Sequence, residues 1–333
     1  MTMKQATIRS GQGIGTITIE QAHVREPGSG EALIRITAAT LNYRDLIVAK
    51  GLIPGLGKQP QVVPLSCSAA VVEAVGHGVT RVSPGDRVTP IFAPFWLTGS
   101  APDPRMLGGP IDGVARQYAV FDTESLCKLP DPMSDLEGAT LPCAALTAWS
   151  ALTAFRPTQS GEWVLAHGTG GVAIAALQLA KAIGAKVAIT SSSDAKLARA
   201  ASLGADLCIN YKKQPDWASA VRKEIGGSGV ANVIDTVGAV QFDDNSSLLM
   251  PRGQLSAIGM LGSDFSWNRT DSSVRLAPVG VGSREQHEAM TAFMVQHRVR
   301  PVIDVVYDLD RLADAYRHLE GGSFFGKIGV NLL

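Results

Sequence analysis

The run Gly168-Thr169-Gly170-Gly171-Val172-Ala173 constrains this chain more than any other stretch. It follows a short apolar segment, Trp163-Val164-Leu165-Ala166, and leads into an apolar helical segment, residues 172–183. A short apolar run bounded by turn residues fits a strand buried on both faces of a parallel sheet. A glycine-rich turn from such a strand into a helix presents backbone amides and the positive end of the helix dipole to an anion. Gly168 permits the tight turn, Gly170 lets a pyrophosphate approach the backbone, and the small Ala173 lets helix and strand pack. A glycine pattern alone is weak. This one stands at the strand–turn–helix junction that a dinucleotide site requires.

The segments after it alternate. A strand is expected over 186–190, a helix over 194–203 with Asp194 as its N-cap and Gly204 as its stop, and a strand over 207–210. A helix over 217–225, a strand over 231–235, a helix over 240–249 and a strand over 254–258 follow. This alternation predicts an α/β fold, a doubly wound parallel sheet of Rossmann type covered on both faces. The first part reads differently. Short β-type runs at 14–20, 32–36, 69–75 and 87–91 are separated by Gly76-His77-Gly78 and Pro84-Gly85-Asp86, which suggests a barrel-like β domain. Residues 93–113 read as a long surface loop, and residues 135–152 as a helix that Pro142 kinks or breaks. At the end, a helix over 285–297, a strand over 302–306, a helix over 310–319 and a strand over 327–330 either extend the parallel sheet or return to the first domain. Periodicity does not decide between these.

A chain of 333 residues holds about two domains at ~100–200 residues each. Its zero net charge argues against a polyanion-binding protein. No apolar run reaches the ~18 residues of a membrane helix, and residues 1–10 lack the apolar core of a secretory signal, so a cytoplasmic protein is expected. The four cysteines, Cys67, Cys127, Cys143 and Cys208, form no CxxC unit and are expected to be reduced and buried. His77, His167, His287, His297 and His318 show no ligand spacing and read as structural.

The second strand of the parallel sheet ends in Thr190-Ser191-Ser192-Ser193. Sites for NAD place a carboxylate about 20 residues after the glycine turn to hold the ribose hydroxyls. None stands here, while Ser191 and Ser192 tolerate an added phosphate and Lys196 and Arg199 lie within reach of it. The reading is NADP(H) preferred over NAD(H), against the plainer reading of Lys196 as a solvated helix lysine.

Several further pieces then fall into order. They are Leu41-Asn42-Tyr43-Arg44-Asp45, Val75-Gly76-His77-Gly78-Val79, Gly85-Asp86-Arg87-Val88, Leu141-Pro142-Cys143-Ala144-Ala145-Leu146-Thr147-Ala148-Trp149, Leu203-Gly204-Ala205-Asp206, Ile209-Asn210-Tyr211 and Phe325-Gly326-Lys327. With the glycine turn, this set resembles the medium-chain dehydrogenase/reductase superfamily, in its zinc-independent quinone oxidoreductase-like branch. The resemblance implies a GroES-like β-barrel catalytic domain split between residues 1–130 and 285–333, around a Rossmann NADP(H)-binding domain over 131–284. It implies that Lys196 and Tyr211 contact the 2′-phosphate, and that Thr147 lies near the nicotinamide. It further implies that Gly238 and Ile258-Gly259-Met260 face the cofactor. Lys327 joins the cofactor set with Gly168, Thr169, Gly170, Gly171 and Val172. A homodimer is expected.

Zinc-dependent members of the superfamily use a Cys, a His and a second Cys as catalytic ligands, with a Glu beside the His. Here Asn42, Cys67, Cys143 and Ser68 stand at the first Cys, the His, the second Cys and the Glu. Asparagine is a poor zinc ligand, and a catalytic zinc needs three protein ligands, so no zinc is expected. Without a Lewis acid, hydrogen-bond donors must polarise the acceptor, which favours quinones and α,β-unsaturated carbonyls. Asn42 and Tyr43 are the candidate catalytic donors; Cys67, Phe95, Trp96 and Cys143 are the candidate substrate pocket. Two alternatives are a zinc-dependent NAD(P) alcohol dehydrogenase and a non-catalytic, crystallin-like NADPH-binding protein.

Overall fold

A computed structural model describes residues 1–52, 60–99, 105–259 and 274–333. Met260 of the sequence reading lies outside the described residues, as do residues 100–104 of the expected loop.

In chain order the elements are β1 (Thr2–Thr7), β2 (Thr18–His23), β3 (Glu31–Thr40), α1 (Tyr43–Lys50), β4 (Cys67–Val75), β5 (Arg87–Pro90), β6 (Tyr118–Asp122) and β7 (Leu126–Lys128). Then come α2 (Asp135–Gly138), a π-helical turn (Leu141–Ala145), α3 (Leu146–Thr153), β8 (Trp163–His167), α4 (Gly171–Ile183), β9 (Lys186–Ser191), α5 (Asp194–Ser202) and β10 (Leu207–Asn210). The chain continues with α6 (Trp217–Ile225), β11 (Val230–Asp235), α7 (Phe242–Leu248), β12 (Leu249–Ala257) and β13 (Arg275–Pro278). It ends with α8 (Arg284–Gln296), β14 (Ile303–Asp308), α9 (Leu312–Gly321) and β15 (Lys327–Asn331).

The chain divides into two units. The first comprises Met1–Leu146, Val281–Gln296 and Arg300–Leu333; the second comprises Thr147–Gly280 and His297–Val299. The chain passes from one to the other at the start of α3, later than residue 130.

The first unit is built on a seven-stranded sheet of order β14-β15-β3-β4-β5-β7, with β6, the seventh strand, pairing with β3 off this path. Strand β3 organises it. One edge pairs with β4 from Ala32 to Thr40; the other is shared, by β6 along Glu31–Arg35 and by β15 along Ala38–Thr40. The C-terminal segment therefore returns to the first domain, the question that periodicity left open. Helix α9 lays Leu312, Ala315, Tyr316 and Leu319 into the same core as Ile34, Ile36, Val72 and Val330. The expected strand over 14–20 is instead a 3₁₀ turn at Ile14–Thr16 and then β2, because Gly13 turns the chain with φ 88°.

The second unit carries a six-stranded parallel sheet of order β10-β9-β8-β11-β12-β13. Strands β8, β9 and β11 are almost wholly buried, as continuous apolar strands covered on both faces must be. The chain reverses its direction of travel across the sheet between β8 and β11, so the C-terminal ends of β8, β9 and β11 form the switch point where such sheets bind ligands. Ser193, not Asp194, is the N-cap of α5: its hydroxyl accepts from the Lys196 amide at 3.4 Å, and Asp194 occupies the first helical turn.

Among the described residues, no helix is long and apolar enough to cross a membrane.

Candidate functional site

The first candidate site lies at the ends of β8, β9 and β11. Gly168 has φ 76°, a left-handed backbone that residues with a Cβ adopt at a cost, and a Cβ built on it would meet nothing within 4 Å among the described residues. Among those residues the space beside Gly168 is open. Helix α4 begins at Gly171 with no side chain capping it, so its first amides stand unclaimed by a cap. Ala173 is buried against the sheet. These features fit a pyrophosphate: amides and a helix dipole face open space, and no carboxylate is built into the turn.

A buried hydrogen-bond chain fixes this end of the sheet. His167 Nε2 and Asn245 Oδ1 lie 2.8 Å apart, and Asn245 Nδ2 donates to Asp235 Oδ2 at 2.9 Å. With that amide so oriented, Nε2 carries the proton and Nδ1 accepts from the Thr190 hydroxyl at 2.9 Å. Asp235 Oδ1 accepts from the amides of Val237 and Gly238, and Thr236 Oγ1 donates to the His167 carbonyl at 3.0 Å. Burial holds His167 below its ordinary pKa, so the ring bridges as a neutral group. Its neighbour in sequence is Gly168, so the chain ties the glycine turn to three strand ends. Gly259 completes the arrangement: a Cβ there would lie 2.4 Å from the Gly238 nitrogen.

At the end of β9, the Tyr211 amide donates to the Ser191 carbonyl at 3.2 Å, which brings Tyr211 beside the serines. Ser191 is buried, its hydroxyl accepting from the Ser193 amide at 3.3 Å, while Ser192 and Tyr211 are exposed and Lys196 is half-buried. The nearest acid, Asp194, is occupied by Asn210 Nδ2 at 2.6 Å and Lys213 Nζ at 2.5 Å. Thr147 is buried, its hydroxyl on the Gly280 carbonyl at 3.3 Å.

The second candidate site belongs to the first unit. Asn42 is the N-cap of α1 and forms a capping box with Asp45, whose Oδ2 accepts from the Asn42 amide at 2.7 Å. The Asn42 side chain turns inward: Nδ2 donates to Ser66 Oγ at 3.2 Å and Cys67 Sγ at 3.1 Å, and Oδ1 accepts from Lys327 Nζ at 2.6 Å. Lys327 also donates to the Leu41 carbonyl. Burial alone would push the Cys67 thiol up. The neighbouring Cys143 thiol, the charge of Lys327 and the donors Asn42 and Ser66 outweigh burial and bring it down to about 7. Cys143 is pushed up, by the neighbouring Cys67 thiol and by burial. Burial lowers Lys327, against the favourable charges of Cys67, Cys143 and Asp45.

Residues 28–131 match the Alcohol dehydrogenase GroES-like domain, and residues 171–297 match the Zinc-binding dehydrogenase family. A zinc-type alcohol dehydrogenase-like protein of Schizosaccharomyces pombe is 39% identical over 316 residues, 91% of each chain. The chain is a medium-chain dehydrogenase/reductase. A solved NAD-dependent alcohol dehydrogenase superimposes with a TM-score of 0.89 at 30% identity, covering 99% of this chain and 100% of that one. A mycobacterial protein solved in complex with NADPH superimposes with a TM-score of 0.81 at 25% identity, covering 99% of both chains.

Within this dehydrogenase/reductase, the structure brings Asn42, Cys67, Cys143 and Lys327 into one cluster. Lys327, expected among the cofactor contacts, has its ammonium committed to Leu41 and Asn42. Asn42, expected to donate to substrate, has its Nδ2 group on Ser66 and Cys67. Tyr43, the first residue of α1, is 36% exposed. Trp96 packs with Phe92 and the half-buried Cys143, whereas Phe95 is 49% exposed beneath the Arg105 guanidinium. Sequence reasoning missed Ser66 and the set Thr190, Asp235 and Asn245. The one available signal was His167, a polar residue at the end of an otherwise apolar strand. As donors for a zinc ion the cluster offers two thiols and an amide oxygen that already accepts from an ammonium. Among the described residues, no three His, Cys, Asp or Glu side chains gather as a metal site.

Proposed function

We propose that this dehydrogenase/reductase is an NADPH-dependent, metal-independent reductase of quinones or α,β-unsaturated carbonyls. The observation that carries the reading is the Lys327 ammonium, bonded to Asn42 Oδ1 in the cluster where the zinc-dependent branch assembles its ligands. A buried cation at two thiols and an amide opposes a second, divalent one, and the set falls short of three good zinc donors. The dinucleotide supplies a hydride when bound. The amides that follow Gly168 hold its pyrophosphate, with Gly238, Gly259 and Thr147 completing the contacts. Ser191, Ser192, Lys196 and Tyr211 receive the 2′-phosphate, with no free carboxylate at the end of β9 to repel it. Tyr43, exposed at the start of α1, donates the hydrogen bond or proton that an enolate or hydroquinone oxygen needs. Asn42 acts through the cluster, fixing Lys327 and α1 in place.

The test is turnover of NADPH and NADH with a panel of quinones and enones, with and without a chelator, on protein whose metal content is measured. Expected are a kcat/KM for NADPH at least about tenfold above that for NADH, the factor given by ~1.4 kcal/mol of differential binding, and rates indifferent to the chelator. Tyr43→Phe lowers kcat while leaving NADPH affinity unchanged. Stoichiometric zinc with chelator-sensitive alcohol oxidation would overturn the reading in favour of an alcohol dehydrogenase, which the two adjacent thiols and the named relatives favour. Tight NADPH binding without turnover of any acceptor would point to a non-catalytic role.

A further inference from the structure

We infer that Arg44 is a positioning residue that selects flat, ring-bearing acceptors over open-chain ones, by fixing an aromatic wall beside the turn that presents Tyr43. The inference rests on the reductase reading and adds the acceptor shape that the site prefers.

Arg44 follows Tyr43 in the first turn of α1, and its side chain is 11% exposed. Its guanidinium serves several partners at once. Nη1 donates to the Leu107 carbonyl at 2.7 Å and Nη2 to the Gly109 carbonyl at 2.6 Å. Leu107 and Gly109 are both buried, where a carbonyl without a donor is costly. Nη1 also stands 3.7 Å from Asp45 Oδ1, an oxygen with no hydrogen-bond partner among the described residues. The guanidinium carbon lies 5.0 Å from the centroid of the Phe92 ring.

These contacts join three pieces of the first unit. Asp45 Oδ2 closes the capping box on the Asn42 amide, so the charge beside Asp45 steadies the turn that carries Tyr43. The Leu107 amide donates to the Phe92 carbonyl at 3.1 Å, so the segment that Arg44 grips also holds Phe92 by its backbone. Phe92 packs with Ala93 and Trp96, and Met106 and the half-buried Cys143 lie against them. Arg44 therefore sets the proposed donor and the aromatic wall at a fixed spacing. Arginine suits the task, because one planar fork can meet two carbonyls and lie on a ring, whereas lysine offers a single ammonium.

Acceptors feel that spacing unequally. A rigid two-ring quinone must lay its face on the wall while its oxygen meets the donor. A small open-chain enone reaches the donor without the wall. A shift of the wall on the order of 1 Å therefore weakens the first and spares the second.

The experiment measures NADPH turnover by the full-length protein with a naphthoquinone and with methyl vinyl ketone, for the natural chain and for Arg44→Lys. The lysine keeps a charge beside Asp45 but cannot span both carbonyls. Expected is a KM for the naphthoquinone raised about tenfold, with its kcat, both constants for the enone and the KM for NADPH all within about twofold, the pattern of lost acceptor binding. A merely structural role would alter both acceptors alike. That result, an unmoved naphthoquinone KM, or a natural chain that reduces the enone but not the naphthoquinone would overturn the inference alone. A natural chain that reduces neither acceptor would overturn the reductase reading, and the acceptor role would fall with it. If Arg44→Lys does not fold, Phe92→Leu tests the same wall with the charge and both carbonyl bonds kept. It should raise the naphthoquinone KM selectively, and equal effects on both acceptors would count against the wall.

Discussion

At the scale of single residues, the clearest anomaly lies away from both sites. His287, on α8, is fully buried, and neither ring nitrogen meets a hydrogen-bond partner among the described residues. Burial pushes its pKa down to about 4 from 6.5. The folded state therefore keeps the ring neutral where the unfolded chain takes up a proton. The sign follows: this residue's contribution is intact above pH about 6.5 and is lost as pH falls from there to about 4, since the unfolded state binds more protons in that window. At 1.36 kcal/mol per unit, the full loss is about 3 kcal/mol. His287→Leu, of similar volume, removes both the unpaired nitrogens and the proton uptake. The expected outcome is a higher Tm than the natural chain at both pH 8 and pH 5, with the larger gain at pH 5. Thermal melts at the two pH values check it, and equal gains at both would refute the linkage. The same comparison explains why histidines were hard to sort from the sequence. His167 and His287 both end up buried, but only His167 finds partners, and those lie 23 and 78 residues away.

At the scale of elements, what the sequence displays depends on how local the cause is. Helix α6 is recovered residue for residue, because Trp217, Ala218, Val221 and Ile225 bury one face at helical spacing. Helix α1 escapes, because Asp45, Leu46, Ile47, Val48 and Ala49 are buried in an unbroken run, which carries no period. Its only local mark is the Asn42–Asp45 capping box. The Lys327–Asn42 bond is invisible in the sequence, because nothing near Lys327 announces a partner 285 residues away. The glycine turn is the opposite case, legible because its requirements are local, and they can be separated by substitution. Gly168→Ala adds a methyl group that meets nothing within 4 Å among the described residues, so its cost comes from the left-handed backbone, ~1–2 kcal/mol. The added methyl stands where the pyrophosphate is proposed to sit. Ala173→Leu forces three more carbons into the packed contact of α4 with β8, ~1–3 kcal/mol of overpacking, without reaching the open side of the turn. Titration calorimetry and thermal melts together should show Gly168→Ala losing more NADPH affinity than stability, and Ala173→Leu the reverse. The same ratio in both would mean that the turn holds no phosphate.

At the scale of the whole molecule, the C-terminal strand ties the ends of the chain together. Strand β15 stands between β14 and β3, and Ile328, Val330 and Leu332 are buried in the first unit's core. At ~1.5–3 kcal/mol for each buried aliphatic side chain, these three together approach the ~5–15 kcal/mol by which a whole domain is stable. Removing residues 327–333 also removes Lys327 and leaves an edge of β3 unpaired over Ala38–Thr40. The second unit draws on none of this, because its six strands and the core around Leu165, Val221, Val233 and Leu255 all come from residues 147–280. The truncated chain should therefore lose the first unit while keeping the second. Limited proteolysis is expected to degrade residues 1–146 and to leave a resistant fragment spanning 147–280, and that fragment should still bind NADPH. A truncated chain that resists proteolysis throughout would show that β3 and β4 hold the first unit without the strand that returns from the far end. A truncated chain digested throughout would show that the parallel sheet, although its strands and core are self-contained in sequence, draws its stability from the intact molecule.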